Sequence, residues 1–158
     1  MRRLPATVTA HAPRDPDYAE RVRASFERQV FMSTLGARLV RVEPGEVDLE
    51  LPVRTELTQQ HGFLHAGALA SVADSACGYA ALTLMPAEVA VLSVEFKVNL
   101  MKPAAGDHFR AIGKVIRAGR TLTVCGAEVH AHLEGKESVI AIMQATMMAV
   151  RDHGDLVD

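Results

Sequence analysis

Aromatic side chains are scarce in this sequence of 158 residues. Phe and Tyr together make up 4% of it and Trp is absent, which argues against a surface on which the bases of single-stranded nucleic acid could stack. The charges are also nearly balanced, since the formal net charge is −2, so there is no excess of positive charge to attract a phosphate backbone. Nucleic-acid binding is therefore disfavoured.

Cysteines and long apolar runs are scarce as well. The two cysteines, Cys77 and Cys125, are too few for a disulfide framework and form no Cys-x-x-Cys pair, which suits a reducing compartment. The one run long enough to suggest a membrane span, residues 66–85, is dominated by Ala, Gly and Ser and contains Asp74. That acid would cost about 3 kcal/mol on insertion into a bilayer. No targeting segment is apparent, and we expect a cytoplasmic protein without a membrane partner.

The length and composition predict one globular domain. Apolar residues make up 49% of the chain, enough at this length for a sizeable core. We expect the domain at residues 16–151. A loose N-terminal arm at 1–15, interrupted by prolines, should precede it, and a frayed polar tail at 152–158 should follow it.

The stretch HAGALASVADSACGYAALTLM, residues 65–85, is the segment around which we expect the rest to be organised. It has the length and composition of a helix, and Pro86 cannot continue it. Its side chains are small and apolar on nearly all sides, which predicts a buried helix that other backbone approaches closely. Asp74 is its one charged residue. Because burial of a carboxylate is costly unless the group is paired or used, Asp74 is either a satisfied structural group or a catalytic one.

Hydrophobic periodicity and turn residues organise the remaining chain. In chain order they predict a helix at about 17–35, strands at 38–43 and 46–53, the central helix, and strands at 90–100, 108–117, 121–133 and 138–150. One antiparallel sheet wrapped around one apolar helix satisfies this order, which makes the protein an α+β domain. Such a sheet leaves the far side of the helix uncovered, so a second copy is the natural partner.

For three of the predicted strands, the sequence also indicates which side faces the solvent and which side faces the core. Acidic and apolar residues alternate along 46–53, which predicts one solvent-facing side, and 90–100 predicts an apolar face opposite a polar face that includes Ser93. The last strand carries small residues on one face, where a closely packed helix needs them: Ala141, Ala145 and Ala149.

Three hypotheses fit the polar residues around the central helix. His61, His65 and Asp74 could hold a metal ion, although Gly62 interrupts the two histidines and no fourth ligand lies nearby. Asp74 and His65 could instead be structural, with the acid paired in the core and the histidine at the helix start. The third hypothesis is acyl transfer.

The residues at the start of the central helix suggest the acyl-transfer hypothesis. The turn His65-Ala66-Gly67 offers unpaired backbone N–H groups at the positive end of the helix, as an oxyanion hole requires. Asp74 lies about 13 Å further along the helix axis, too far to act in the hole of its own subunit. It could act in the hole of a facing subunit, which predicts a site at the interface of a two-fold dimer. Cys77 is predicted to be a small buried hydrophobe.

The residues of this region resemble a known family. The pattern Gln59-x-His61-Gly62-x-x-His65-Ala66-Gly67-x6-Asp74, followed by Ala76-x-Gly78-Tyr79-Ala80, is similar to the hotdog-fold acyl-CoA thioesterases of the phenylacetate-degradation (PaaI) type. The resemblance covers residues 30–150 and includes LGARLVRVEPGEVDLELPV, VLSVEFKVNLMKPAAGD and GRTLTVCGAEV. It implies a hotdog fold, a curved antiparallel sheet around one long central helix. It also implies hydrolysis of an acyl-CoA thioester to a carboxylic acid and free coenzyme A.

The resemblance implies roles for single residues. Asp74 would be the nucleophile or the general base, and the N–H of Ala66, together with Gly67, would polarise the thioester carbonyl. The family often has His-Gly-Gly where this chain has His-Ala-Gly; alanine keeps the N–H donor but narrows the backbone conformations that the turn can adopt. Three further residues match motif positions: Gln59 where the family commonly carries an Asn that positions the carbonyl or water, Ser93 where some members orient the water with a Ser, and His65, which shapes the helix entry. Tyr79 could line the acyl pocket.

Coenzyme A would also need cations for its phosphates. In the family, nucleotide contacts commonly come from the turn that is flanked here by Arg117, Arg120 and Thr121, and Lys97 and Lys102 are further candidates. Each could instead be a solvated surface charge. The resemblance implies no metal and no cofactor, with coenzyme A present only as part of the substrate. It implies a homo-oligomer, either a dimer or a dimer of dimers (a homotetramer).

Two other functions on the same fold remain as alternatives. A non-catalytic acyl-CoA-binding or regulatory protein would keep the arginines and the pocket but would need no acid in the helix. The presence of Asp74 there favours an enzyme. A hydratase would need a His and Asp pair placed to add water to an enoyl thioester, and the usual hydratase motif is not visible.

Overall fold

The computed structural model describes residues 11–151, so the tail predicted at 152–158 and most of the arm predicted at 1–15 lie outside the described residues. Two helices, α1 (Tyr18–Arg28) and α2 (Val30–Leu35), precede a hairpin of β1 (Arg38–Glu43) and β2 (Glu46–Pro52). A 3-10 turn, Thr55–Leu57, leads to the long helix α3 (Ala66–Leu82). Four strands follow: β3 (Ala90–Leu100), β4 (His108–Ala118), β5 (Leu122–Leu133) and β6 (Lys136–Val150).

All six strands form one antiparallel sheet in the order β1-β2-β4-β5-β6-β3. Helix α3 packs against one face of this sheet, and the apolar side chains between them form one core. This confirms the predicted α+β architecture, a sheet around one central helix. Within residues 11–151, no helix is both long and apolar enough to cross a bilayer.

Helix α3 crosses the sheet most closely at Gly113 on β4. A Cβ placed on Gly113 would lie 2.3 Å from the carbonyl carbon of Ala76 and 2.7 Å from the backbone nitrogen of Cys77. The small residues predicted on the last strand contribute as well, since Ala141 and Ala145 are fully buried. The closest approach is nevertheless at Gly113, two strands away from β6 in the sheet.

We expect Gly113→Ala to lower the free energy of unfolding by about 3 kcal/mol, because the new methyl group would overlap helix backbone that cannot rotate away. Gly126→Ala is the matched control: it also lies inside a strand, but its Cβ would meet the flexible tip of Ile116 at 3.3 Å and the carbonyl oxygen of Met143 at an ordinary contact distance of 3.6 Å. Urea unfolding of both variants measures the difference. Equal midpoints would mean that the helix shifts away from the sheet at little cost.

The N-terminal helical segment differs from the prediction. The helix predicted at 17–35 breaks at Gln29, whose ψ of 87° is not helical, and it ends as predicted at Gly36, whose φ is 74°. Because of this break, the apolar side of α1 does not continue along α2. Val30, which follows Val22 and Phe26 at helical spacing in the sequence, is therefore 77% exposed.

The solvent-facing side predicted for β2 is wrong at one residue. Asp48 is 1% exposed, because Arg110 on the neighbouring strand β4 covers its carboxylate and donates a hydrogen bond to it. Cross-strand pairing therefore buries an acid that alternation alone assigns to solvent.

Arg21 on α1 anchors the end of the central helix. Its guanidinium donates hydrogen bonds of 2.6–2.9 Å to the carbonyl oxygens of Leu82, Met85 and Pro86. Helix C-termini leave such carbonyls unpaired, and a cation suits their negative end of the helix dipole. Asp15, which is also buried, lies 3.4 Å from Arg21. These bonds tie α1 to the end of the central helix.

Strand β3 lies at the edge of the sheet, and its face prediction is wrong up to Ser93, where a bulge interrupts the strand, but holds from Glu95 onwards. Ser93 and Glu95 pair with Met147 and Thr146 on β6, so a β-bulge leaves Val94 without a register partner. One extra residue reverses the alternation, and Ser93 faces the helix while Glu95 faces away. Four large apolar residues of this strand are between 45% and 53% exposed: Leu92, Val94, Phe96 and Leu100.

Candidate active site

The start of helix α3 presents one unpaired N–H group. His65 caps the helix, with its backbone in an extended conformation, and its Nδ1 accepts a hydrogen bond of 2.9 Å from the N–H of Gly67. The N–H of Ala68 donates to the carbonyl of His65. Within residues 11–151, the N–H of Ala66 has no hydrogen-bond partner. Of the two predicted oxyanion donors, Ala66 is therefore available and Gly67 is occupied.

Gln59 stabilises the loop that leads into this helix. Its Oε1 accepts a hydrogen bond of 2.6 Å from the N–H of His61, and its carbonyl accepts one of 2.9 Å from the N–H of Gly62. Gly62 has a φ of 83°, a left-handed conformation that favours glycine. The Gln59 amide oxygen is thus used within its own loop, on the same side of the molecule as the helix start.

A cavity of about 340 Å³ opens beside the helix start. Its lining is mostly apolar and comes from α2, the 3-10 turn and α3: Phe31, Leu35, Glu56, Leu57, Thr58, His65, Gly67, Ala68 and Ser71.

The second group of predicted site residues meets further along the helix. The hydroxyl of Ser93 donates a hydrogen bond of 2.7 Å to Oδ1 of Asp74. The bulge in β3 makes this contact possible, because it turns Ser93 towards α3. The structure therefore joins Asp74 and Ser93, which are 19 residues apart.

Burial raises the pKa of Asp74 above the usual value of 3.8, and the hydrogen bond from Ser93 opposes that rise. Desolvation disfavours the charged form, whereas a donor to the carboxylate favours it. A carboxylate with a raised pKa is a stronger base. Asp74 is therefore suited to accept a proton from water or to attack a carbonyl carbon.

Asp74 lines a small cavity of about 100 Å³. The other lining residues come from the α1–α2 break, α3, β3 and β6: Gln29, Ser75, Gly78, Tyr79, Val91, Ser93 and Met147. Tyr79, which we expect to line the acyl pocket, is thus beside Asp74. Gln29 and Ser75 were not expected at this site from the sequence. Gly78 belongs to the family motif but had no predicted role, although helical spacing places it one turn after Asp74.

Within one protomer, the two groups of site residues do not meet. No residue lines both cavities. Asp74 is eight residues after Ala66, or about 12 Å along the helix axis. A carbonyl bound at the N–H of Ala66 is thus out of reach of the Asp74 of the same chain.

The predicted phosphate-binding residues are spread over the sheet. Arg117 lies near the end of β4, and Arg120 and Thr121 lie in the turn that follows. All three are exposed, and neither arginine forms an ion pair within residues 11–151. This turn lies at the Ser93 end of the sheet, because Thr123 and Ser93 both pair with Met147. Two further residues lie elsewhere: Lys97 pairs with Gln144 in mid-strand, and Lys102 follows the far end of β3.

The metal hypothesis gains no support from the geometry, whereas Cys77 is buried as predicted. Residues 11–151 contain no group of three or more His, Cys, Asp or Glu side chains that could hold a metal ion. Cys77 is fully buried, and burial, followed by the nearby Cys125 and Asp74, raises the pKa of its thiol. Because the thiolate is the nucleophilic form, Cys77 is a poor nucleophile.

Comparisons with known proteins agree on one family. Residues 61–136 match the thioesterase superfamily. A thioesterase family protein of Silicibacter pomeroyi, known from its crystal structure, is 54% identical, with a TM-score of 0.84 over 85% of this chain and 99% of that one. Acyl-coenzyme A thioesterase 13 of Homo sapiens is 29% identical over 74% of this chain and 84% of its own length. The PaaI protein of the E. coli phenylacetic acid degradation operon shares the fold, with a TM-score of 0.76 at 20% identity over 85% and 94% of the two chains.

Proposed function

The chain belongs to the thioesterase superfamily and is a thioester hydrolase, and from that premise we propose that it hydrolyses an acyl-CoA to a carboxylic acid and free coenzyme A. The observation that carries this proposal is the contact between Asp74 and Ser93. It provides a carboxylate with a raised pKa next to a hydroxyl that can orient a reactant. Release of thiol from acyl-CoA by the purified protein is the direct test.

In the proposed mechanism, Asp74 acts on the thioester carbonyl while the N–H of Ala66 donates a hydrogen bond to the carbonyl oxygen. As general base, Asp74 takes a proton from water, and the hydroxide adds to the carbonyl carbon. As nucleophile, Asp74 adds to that carbon directly, and water later hydrolyses the anhydride. In both cases the C–S bond breaks and the sulfur of coenzyme A leaves as thiolate, which then takes a proton. One carboxylate serves either mechanism.

We propose that each site combines residues of two protomers. Strand β3 supports this, because it is an edge strand that presents unpaired backbone and large exposed apolar side chains. Such an edge pairs readily with another strand. Two copies related by a two-fold axis would join their β3 strands in antiparallel orientation.

Antiparallel pairing would bring the two groups of site residues together. Ser93 lies near the start of β3, whereas the helix start lies near its far end, where the N–H of Leu64 donates to the carbonyl of Ala104. The start of one β3 would face the end of the other. Asp74 and Ser93 of one protomer would then approach Ala66 of its partner.

The phosphates of coenzyme A would bind to Arg117 and Arg120. Both arginines lie at the Ser93 end of the sheet and are exposed, and guanidinium groups suit phosphate oxygens. Lys102 of one protomer would approach the same end of its partner across the β3 pair. Lys97, in mid-strand, is less well placed.

Co-expression of Asp74→Asn and Ala66→Pro chains tests whether the site is shared. The heterodimer, isolated through two different affinity tags, has one site with both defects and one site with neither. We expect it to regain up to about half of the wild-type activity, although each variant alone is inactive. Thiol release from acyl-CoA gives the measurement.

Two differently tagged Asp74→Asn chains, purified in the same way, are the control and should stay inactive. A heterodimer as inactive as this control would mean that each protomer completes its own site. Binding of coenzyme A by a wild-type protein that releases no thiol would favour the acyl-CoA-binding alternative instead.

A further inference from the structure

We infer that the cavity beside Asp74 is the acyl pocket of this enzyme, and that it selects a short acyl group with a neutral hydrogen-bonding group at its far end. This inference rests on the proposed hydrolysis of acyl-CoA. The cavity measures about 100 Å³, less than the roughly 150 Å³ of a protein cavity that holds one benzene molecule. Coenzyme A is too large to enter it. Only a short acyl group, of a few non-hydrogen atoms, fits beside the carboxylate.

Gly78 creates the space next to the carboxylate. It lies one helical turn after Asp74 and therefore on the same helix face. A Cβ placed on Gly78 meets nothing within 4 Å apart from its own helix backbone and neighbours. Glycine inside a helix costs about 1 kcal/mol relative to alanine, so stability does not favour it there. Its missing side chain keeps the pocket open.

The polar end of the pocket is formed by Gln29 and Ser75. The Ser75 hydroxyl is 3.4 Å from Oε1 of Gln29, which is long for a hydrogen bond, and Ser75 is 8% exposed. The amide nitrogen of Gln29 has no hydrogen-bond partner within residues 11–151. These groups can therefore donate to, and accept from, a hydroxyl or carbonyl on the acyl group.

The charges of the pocket exclude an anionic acyl group. Among residues 11–151, no Arg, Lys or His lines this cavity, and Asp74 is its one charged lining residue. A carboxylate at the end of the acyl chain would be desolvated, unpaired and close to a like charge. Its binding would be disfavoured, whereas a hydroxyl of similar size would be paired.

Three coenzyme A thioesters of equal chain length test this selectivity: pentanoyl, 5-hydroxypentanoyl and glutaryl. We expect the wild-type kcat/KM to be about tenfold higher for 5-hydroxypentanoyl than for pentanoyl, because of the added hydrogen bond, and lowest for glutaryl. Gln29→Leu should abolish the preference for the hydroxyl. Gln144→Leu, on the exposed face of β6, is the matched control and should retain it.

Gly78→Leu tests the location of the pocket. We expect kcat/KM for pentanoyl-CoA to fall more than tenfold while that for acetyl-CoA changes by less than threefold, because the leucine side chain would fill the space that the longer chain needs. Gly78→Ala should have a smaller effect of the same kind. The midpoint of thermal unfolding should be at or above that of the wild type for both variants, since leucine and alanine both favour a helix more than glycine does.

The results separate this inference from the proposed function. Hydrolysis of all three thioesters at equal rates, or a Gly78→Leu variant that slows acetyl-CoA and pentanoyl-CoA alike, would overturn the acyl pocket and leave the hydrolysis of acyl-CoA intact. If none of these thioesters releases coenzyme A, the proposed function fails and the inference fails with it.

Discussion

Replacing Asp74 with asparagine is expected to lower kcat/KM for acyl-CoA hydrolysis at least 100-fold, which corresponds to about 2.7 kcal/mol of transition-state stabilisation. Asparagine keeps the size of the side chain and can still accept the hydrogen bond from Ser93. It can neither take a proton from water nor attack the thioester. Thiol release from phenylacetyl-, hydroxybenzoyl-, acetyl-, hexanoyl- and palmitoyl-CoA measures the loss and ranks the acyl groups.

The same variant should remain folded and be at least as stable as the wild type at neutral pH. Burial raises the folded-state pKa of Asp74 above 3.8, so ionisation of this carboxyl destabilises the folded state at every pH above that raised pKa. Asparagine removes this cost. The gain in stability should disappear below pH 3.8, where the carboxyl is protonated in both the folded and the unfolded state. Thermal unfolding of both proteins at neutral and acidic pH measures whether the variant is the more stable one at each pH.

The pH dependence of wild-type kcat/KM provides a second readout of Asp74. The carboxylate is the active form, so activity should fall as the pH drops through the raised pKa, at a pH above 3.8. Asp17→Asn is the control for the loss of one negative charge, because the Asp17 side chain makes no capping hydrogen bond. Should Asp74→Asn keep wild-type activity, Asp74 is not the catalytic acid, and attention returns to His61 and His65.

Replacing Ala66 with proline is expected to lower kcat 100- to 1,000-fold, the usual effect of removing one oxyanion-hole donor. Proline lacks the N–H group that we propose to polarise the carbonyl. It should not unfold the protein, because Ala66 is the first residue of α3, where proline is favoured. The preceding residue, His65, already has φ −66° and ψ 136°, a conformation that precedes proline readily.

Ala66→Gly is the matched control for this variant, because it keeps the N–H group and changes only the side chain. It should retain activity within a few-fold of the wild type. Steady-state kinetics with one acyl-CoA and thermal unfolding of both variants make the comparison. A proline variant that is folded and fully active would show that Ala66 is not the oxyanion donor.

Local sequence patterns were sufficient for most of the fold. The long apolar helix that ends before Pro86, the turn at Gly45 and the strands after the helix all depend on periodicity and turn residues within a few positions of each other. These features fall within one or a few residues of the predicted boundaries. The break at Gln29 did not follow from the pattern, because the apolar spacing continues through it while the backbone does not.

Some candidate site residues could likewise be recognised from the sequence, and others could not. The motif from Gln59 to Asp74 could be recognised in the sequence because its residues are close in the chain. The acyl pocket could not, since Gln29 and Ser75 meet across 46 residues.

The order of the elements, the single sheet around one helix and the family motif can be predicted from the amino-acid sequence, because each depends on residues that are neighbours along the chain. Three features follow from the three-dimensional arrangement instead: Ser93 faces Asp74, Gly67 is occupied while Ala66 is available, and β3 is an open edge. The first depends on a bulge whose register is set by β6, the second on the rotamer of a capping side chain, and the third on the order of strands in space. None of these is a local property of the chain.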